Sequence, residues 1–157
     1  MNRADLRVGT SAGLLAATAT AGALIIMGNR SATVARPFNA IAGHLLGVQK
    51  SDAFGFVANI TIPGVAIHVL LTTVAGIAVA FIARRRFAPA WVAAMAVAVL
   101  SAFVSVGIAR RGGSSLARVL PVGDVVLYYV ILAVALVLGI RFAFFERVPD
   151  APRSGTM

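Results

Sequence analysis

His44 and His68 are the only histidines in this 157-residue chain, which has no cysteine. Both stand in apolar surroundings. An imidazole can donate and accept hydrogen bonds, move a proton, or bind a metal through a ring nitrogen. At membrane depth a full charge costs about 2.5–3.5 kcal/mol on insertion scales, so an ionisable side chain there is a functional candidate by default. Histidine is cheaper because it can stay neutral. Four uses compete: hydrogen bonds between helices, proton transfer, metal ligation and axial haem ligation. The first leads, since polar groups in spans commonly bond across helices. A bis-histidine haem would need His44 and His68 on facing helices with a pocket between them. A closed zinc site wants four ligands. Without cysteine it would have to add carboxylates, for which Asp52 and Asp124 are the nearest.

Asn39 and Thr72 join His44, His68 and Asp124 as polar-site candidates. No catalytic residue is assigned. Arg111-Gly112-Gly113-Ser114-Ser115 has the glycines of a phosphate loop but no Gly-Lys-Ser/Thr after them. No G-x-S-x-G nucleophile elbow occurs. Asp5, Asp52, Glu146 and Asp150 fall outside the apolar stretches and Asp124 at the end of one. A proton-coupled exporter with a carboxylate in mid-span is therefore not indicated.

Four apolar stretches must position these residues, at about 8–28, 62–83, 88–109 and 122–141. Each approaches the roughly 20 residues that cross a bilayer core about 30 Å thick. The sequence predicts an all-α, integral membrane four-helix bundle in a single domain over 1–157, with a disordered tail from about 148. The first stretch outlasts a signal-peptide core and reads as an uncleaved helix. Gly9 and Gly13 begin a small-residue stripe that continues to Ala17 and Ala21, suited to close helix packing or to homodimerisation. In the second span Gly64, His68, Thr72, Gly76 and Ala80 recur every four residues, which predicts one small, polar face turned into the bundle. Gly64 and Gly76 are packing positions there. The preceding residues, interrupted by Asn59, Thr61 and Pro63, read as an interfacial approach. Pro89 and Trp91 open the third span. Asp124 is expected to cap the fourth, with Tyr128 and Tyr129 near its boundary.

The long link between the first two spans holds one further element. Pro37 suits a helix start. Phe38, Ile41, Leu45 and Val48 form an apolar stripe, with Asn39, His44 and Gln49 off it. This segment, about 37–48, is too short to cross a bilayer. It reads as an amphipathic helix at the interface or re-entering between spans.

Sixty per cent of residues are apolar and the mean hydropathy is +0.95, which excludes an ordinary soluble domain. Net charge is +9. The basic residues cluster at span ends, where they would meet anionic lipid head groups. No alternation of arginine with aromatics suggests a nucleic-acid platform. With four spans, the side holding both termini carries eight Lys/Arg and the other side six. That bias predicts cytoplasmic termini.

Arg36-Pro37-Phe38-Asn39-Ala40-Ile41-Ala42-Gly43-His44-Leu45-Leu46-Gly47 resembles a signature of small bacterial four-helix inner-membrane proteins without an assigned activity. They carry Pro-Phe-Asn-Ala-Ile, then a histidine, between spans 1 and 2. Gly64 and Ile67-His68 match the head of their next span, although this chain has one histidine where they carry a pair. The resemblance covers roughly residues 30–70. It implies the four-span fold and weight on Asn39, His44, Gly47 and His68, and it implies no activity.

The expectation is thus a multi-pass inner-membrane protein without enzymatic activity, either a small homo-oligomer or an accessory subunit of a membrane assembly. One alternative is a transporter or channel using the polar face of span 2, with an aqueous cavity reaching His68. A second is a haem-binding redox protein. No cofactor is otherwise expected. His68→Leu should disturb the protein more than Ser114→Ala in a loop.

Overall fold

In a computed structural model, which describes residues 3–31, 33–47, 53–85 and 88–145, the chain folds as an all-α bundle. Four helices are long and apolar enough to cross a membrane. They are α1 (Arg3–Ser31), α3 (Ala58–Arg84), α4 (Ala90–Arg110) and α6 (Val122–Phe145). Between them lie α2 (Arg36–Leu46) and the single turn α5 (Leu116–Val119). The chain is a multi-pass membrane protein.

The spans are longer than hydropathy alone marks, because a helix can continue past the apolar core while its ends carry charge. α1 has Asp5 in its first turn and Arg30 in its last, each matching the helix dipole. Asp5 pairs with Arg84 at the far end of α3, and Arg30 lies 4.0 Å from Asp124 at the start of α6. α1 therefore runs antiparallel to both neighbours. The four spans form a square in the order α1, α3, α4, α6, with the loosest edge between α3 and α4.

α3 starts at Ala58, ahead of the predicted span, and Pro63 lies inside it. Three local bonds explain the early start. Ile60 N–H and Thr61 N–H both donate to the Val57 carbonyl, and Val57 N–H donates to Thr61 Oγ1 at 3.2 Å. Thr61 thus satisfies an orphan donor that would otherwise disfavour the first turn. α4 follows Pro89, whose carbonyl accepts from Ala93 N–H. Its far end is closed by Gly112 at φ 76°, while Gly113 N–H returns to the Ile108 carbonyl at 2.9 Å. The glycine supplies the left-handed residue such a helix stop requires. That is the structural use of the Gly112-Gly113 pair.

α6 begins at Val122, directly after Pro121, so Asp124 is inside the first turn rather than at the cap. Its carboxylate still lies near the positive end of the dipole.

α2 and α5 cover the same end of the bundle. Pro37 through Gly43 are all buried, α2 packs mainly on α3, and Ser114 Oγ donates to the Ala40 carbonyl, tying the two connections together. The short helix predicted between spans 1 and 2 is present, and it caps the bundle buried against α3. Asn39, off the apolar stripe, is as buried as Phe38 on it. The Val48 end of the predicted segment, with Gln49, Lys50 and Asp52, lies outside the described residues, as does the tail from 146.

Two apolar clusters fill the interior. One, at the end holding the N-terminus, gathers Val8, Ala12, Val79, Ala94, Leu136 and Ile140. The other, under the cap, gathers Leu24, Met27, Phe38, Ile41, Leu116 and Tyr128. Where α1 meets α3 the backbones nearly touch. A methyl on Gly76 would strike the backbone of Gly9 and Gly13, and one on Gly9 or Gly13 would strike α3 around Thr73 and Ile77. The small-residue stripe of α1 is therefore spent on packing within this chain.

Candidate functional site

His68 lies between α1, α3 and α6, directly beneath the cap. It is 2% exposed, and Gly64, Thr72, Gly76 and Ala80 on the same face are also buried, as their spacing predicts. Gly64 allows this placement. A methyl there would strike the Phe38 carbonyl, so only glycine lets α2 settle onto α3 one turn before the histidine. Phe38 then meets the imidazole edge-on, with ring centres 6.1 Å apart and planes at 81°.

Both ring nitrogens have polar partners. Nε2 is 3.2 Å from the Ala17 carbonyl and 3.1 Å from Thr20 Oγ1. A carbonyl only accepts, so Nε2 carries a proton. Thr20 in turn donates to the Ala16 carbonyl at 2.6 Å, leaving its lone pair to accept from the imidazole. Nδ1 is then the acceptor in the neutral ring, and it faces the Tyr128 hydroxyl at 3.5 Å, the long limit of a hydrogen bond. Thr72 donates to the His68 backbone carbonyl at 2.8 Å. Residues 48 and 60 positions away thereby converge on one imidazole.

A second polar cluster closes the cap. Asn39 Nδ2 donates to the carbonyls of Ala53 and Gly55, at 2.8 and 3.0 Å. Thr61 Oγ1 donates to Asn39 Oδ1 at 2.7 Å. One fully buried amide thus ties α2, the approach to α3 and the first turn of α3. Arg36 stacks on Phe54, 4.7 Å from the ring centre, and Thr33 donates to the Phe54 carbonyl.

Asn39, His68 and Thr72 are therefore placed in the interior, in two clusters one turn or more apart along α3. Asp124 belongs to neither and lies beside Arg30 at the bundle end. His44 is in α2, but its side chain lies outside the described residues, so the structure does not place the predicted histidine pair. Among the described residues there is no group of three or more His, Asp or Glu. Sequence reasoning missed Thr20 and Tyr128. Tyr128 sits about 9 Å along α6 from its start, by the rise per residue, and is buried beside His68.

A cavity of about 430 Å³ reaches this layer from one side. Its walls include Leu71 and Val74 of α3 and Leu100 and Val104 of α4, all of which also face outward. It therefore opens sideways through the loose edge between α3 and α4. His68, Thr72, Ser105, Tyr128 and Tyr129 lie along its inner wall. The cavity reaches His68, and its mouth is apolar. A second, apolar groove of about 300 Å³ runs between α4 and α6.

Comparison with family models, curated proteins and solved structures finds no match to this chain.

Proposed function

We propose that this chain is a non-enzymatic accessory protein of the bacterial inner membrane, with both termini cytoplasmic. It works as a small homo-oligomer or as a subunit of a larger membrane assembly. The observation that supports a non-enzymatic role is the state of His68. Its two nitrogens are engaged by Ala17, Thr20 and Tyr128, so the imidazole joins helices although its ring also borders the cavity. The likeness of Arg36–Gly47 to the inner-membrane signature supports the location, and the Lys/Arg bias supports the orientation. On that orientation the cap faces the periplasm, and Arg30, Arg36, Arg110, Arg111 and Arg118 meet lipid head groups.

Association is assigned to α4, the least buried span, whose outward Phe103 is 72% exposed and lines neither groove. A photo-crosslinking side chain at Phe103, activated in native membranes, tests this. An adduct of twice the chain mass identifies a homo-oligomer, and one discrete adduct of another mass identifies an assembly partner. Adducts with lipid alone contradict the proposal.

A further inference from the structure

Phe54 and Phe56, just ahead of α3 at the capped end, are 61% and 68% exposed. The backbone that carries them is pinned. The carbonyls of Ala53 and Gly55 accept from Asn39 Nδ2, and the Phe54 carbonyl between them accepts from Thr33. The Arg36 guanidinium covers one face of the Phe54 ring, 4.7 Å from its centre. Two large rings are thus held outward in a fixed frame, with most of their apolar surface uncovered by protein.

The register between α1 and α3 sets their depth. Gly9 lies against Ile77, Gly13 against Thr73 and the Ala17 carbonyl against His68, so the two helices run in step in opposite directions. Continued towards the cap, that register brings Asn29 level with Phe56 and Val57. On α1, Arg7 and Arg30 bracket an uncharged run from Val8 to Asn29. At 1.5 Å per residue the run is about 33 Å long, close to the roughly 30 Å of a hydrocarbon core. α4 gives a similar measure. Its exposed Trp91 and Arg110, residue types that favour the two interfaces, stand about 28 Å apart along the helix.

Asn29 is therefore at the hydrocarbon boundary of the capped end, and Phe56 is level with it. Phe54 is two residues farther along the chain, at most about 7 Å away. Both rings fall in the head-group layer, which is roughly 5–7 Å thick on each side. Farther along α3, Ile62, Val65 and Leu70 are exposed at hydrocarbon depth, so the span below the rings faces lipid. The head-group layer accommodates both an apolar ring and a guanidinium stacked on it.

We propose that Phe54 and Phe56 form an interfacial anchor, seated among phospholipid head groups and fixing the cap at the membrane surface. The Arg36 guanidinium, stacked on Phe54, lies at the level of the lipid phosphates. The anchor depends neither on the orientation nor on the α4 contact proposed above.

The test uses the full chain in nanodiscs of phosphatidylcholine and phosphatidylglycerol. With no native cysteine, a nitroxide can be placed at Phe54→Cys and, separately, at Phe56→Cys. Collision with oxygen, which concentrates in lipid, and with a water-soluble nickel chelate reads the depth of each label. Leu70→Cys and spin-labelled lipids are the references. Both labels should lie within about 7 Å of the phosphate plane, and both variants should melt like the wild type, since neither ring is buried. A second readout needs no label. Trp91 is the only tryptophan, so Phe56→Trp in a Trp91→Phe background can be read alone. Its fluorescence should be quenched more by lipid brominated near the glycerol end of the acyl chain than near the methyl end. Nickel contact equal to that of free nitroxide would overturn the proposal, leaving the rings projecting into water. Contact with neither collider, or dipolar broadening between labels on neighbouring chains, would overturn it in favour of a protein interface.

Discussion

Gly76 of α3 lies against the backbone of Gly13 in α1 with no room for a methyl group between them. Lipid tails are as apolar as the helices, so association must come from close packing and hydrogen bonds rather than from hydrophobic burial. The pair sits on the wall that anchors α3 to α1, the most extensive helix contact in the bundle. Enlarging it forces the helices apart along their whole length.

Gly76→Leu is expected to destabilise by about 1–3 kcal/mol or more, as overpacking does where backbone rather than a flexible side chain must move. Gly107→Ala, at a helical position with nothing near its added methyl, should be neutral or slightly stabilising. Thermal melts of both variants in one detergent check the contrast. Equal melting temperatures would mean the α1–α3 contact is looser than described.

Asn39 holds three partners with one amide. Asn39→Leu keeps the branching of the side chain, though with more bulk, and strands the Ala53 and Gly55 carbonyls and the Thr61 hydroxyl, each unsatisfied group costing about 1–3 kcal/mol. The cap should loosen before the bundle does. Limited proteolysis should then cut near Phe54–Phe56 in the variant while the four spans stay intact. Wild-type resistance at that site would show that the amide is dispensable.

The spans and the inward face of α3 were legible because each rests on a local period: bilayer-length apolar runs, and small or polar residues every fourth position from Gly64 to Ala80. The depth of Asn39 was not. The stripe rule assigns off-stripe positions to water, whereas a helix inserted into protein is surrounded on all sides. The contact of Tyr128 with His68 was not legible, because a tyrosine near a span end reads first as an interfacial anchor. Thr20 was hidden beside a stripe of small residues, since its partner lies on another helix and leaves no local trace. Ser114, expected to be a tolerant loop position, is buried and bonded to Ala40. Ser114→Ala should therefore cost about 1 kcal/mol, which a melt in detergent will show.

Orientation can be read directly because the chain has no native cysteine. Gly47→Cys and Arg111→Cys, at the capped end, should react with an impermeant maleimide added to intact cells. Arg85→Cys, at the opposite end, should react only after permeabilisation. The reverse pattern would place both termini outside the cytoplasm.

The imidazole of His68 is the point at which α1, α3 and α6 are joined, and a double-mutant cycle measures that directly. His68→Leu, Thr20→Val and the double variant are melted in the same detergent, and the coupling is the difference from additivity. A coupling of about 0.5–1.5 kcal/mol, the range of hydrogen bonds between membrane helices, is expected. Strict additivity, with His68→Leu as stable as the wild type, would contradict a holding role and return the imidazole to the candidates for chemistry.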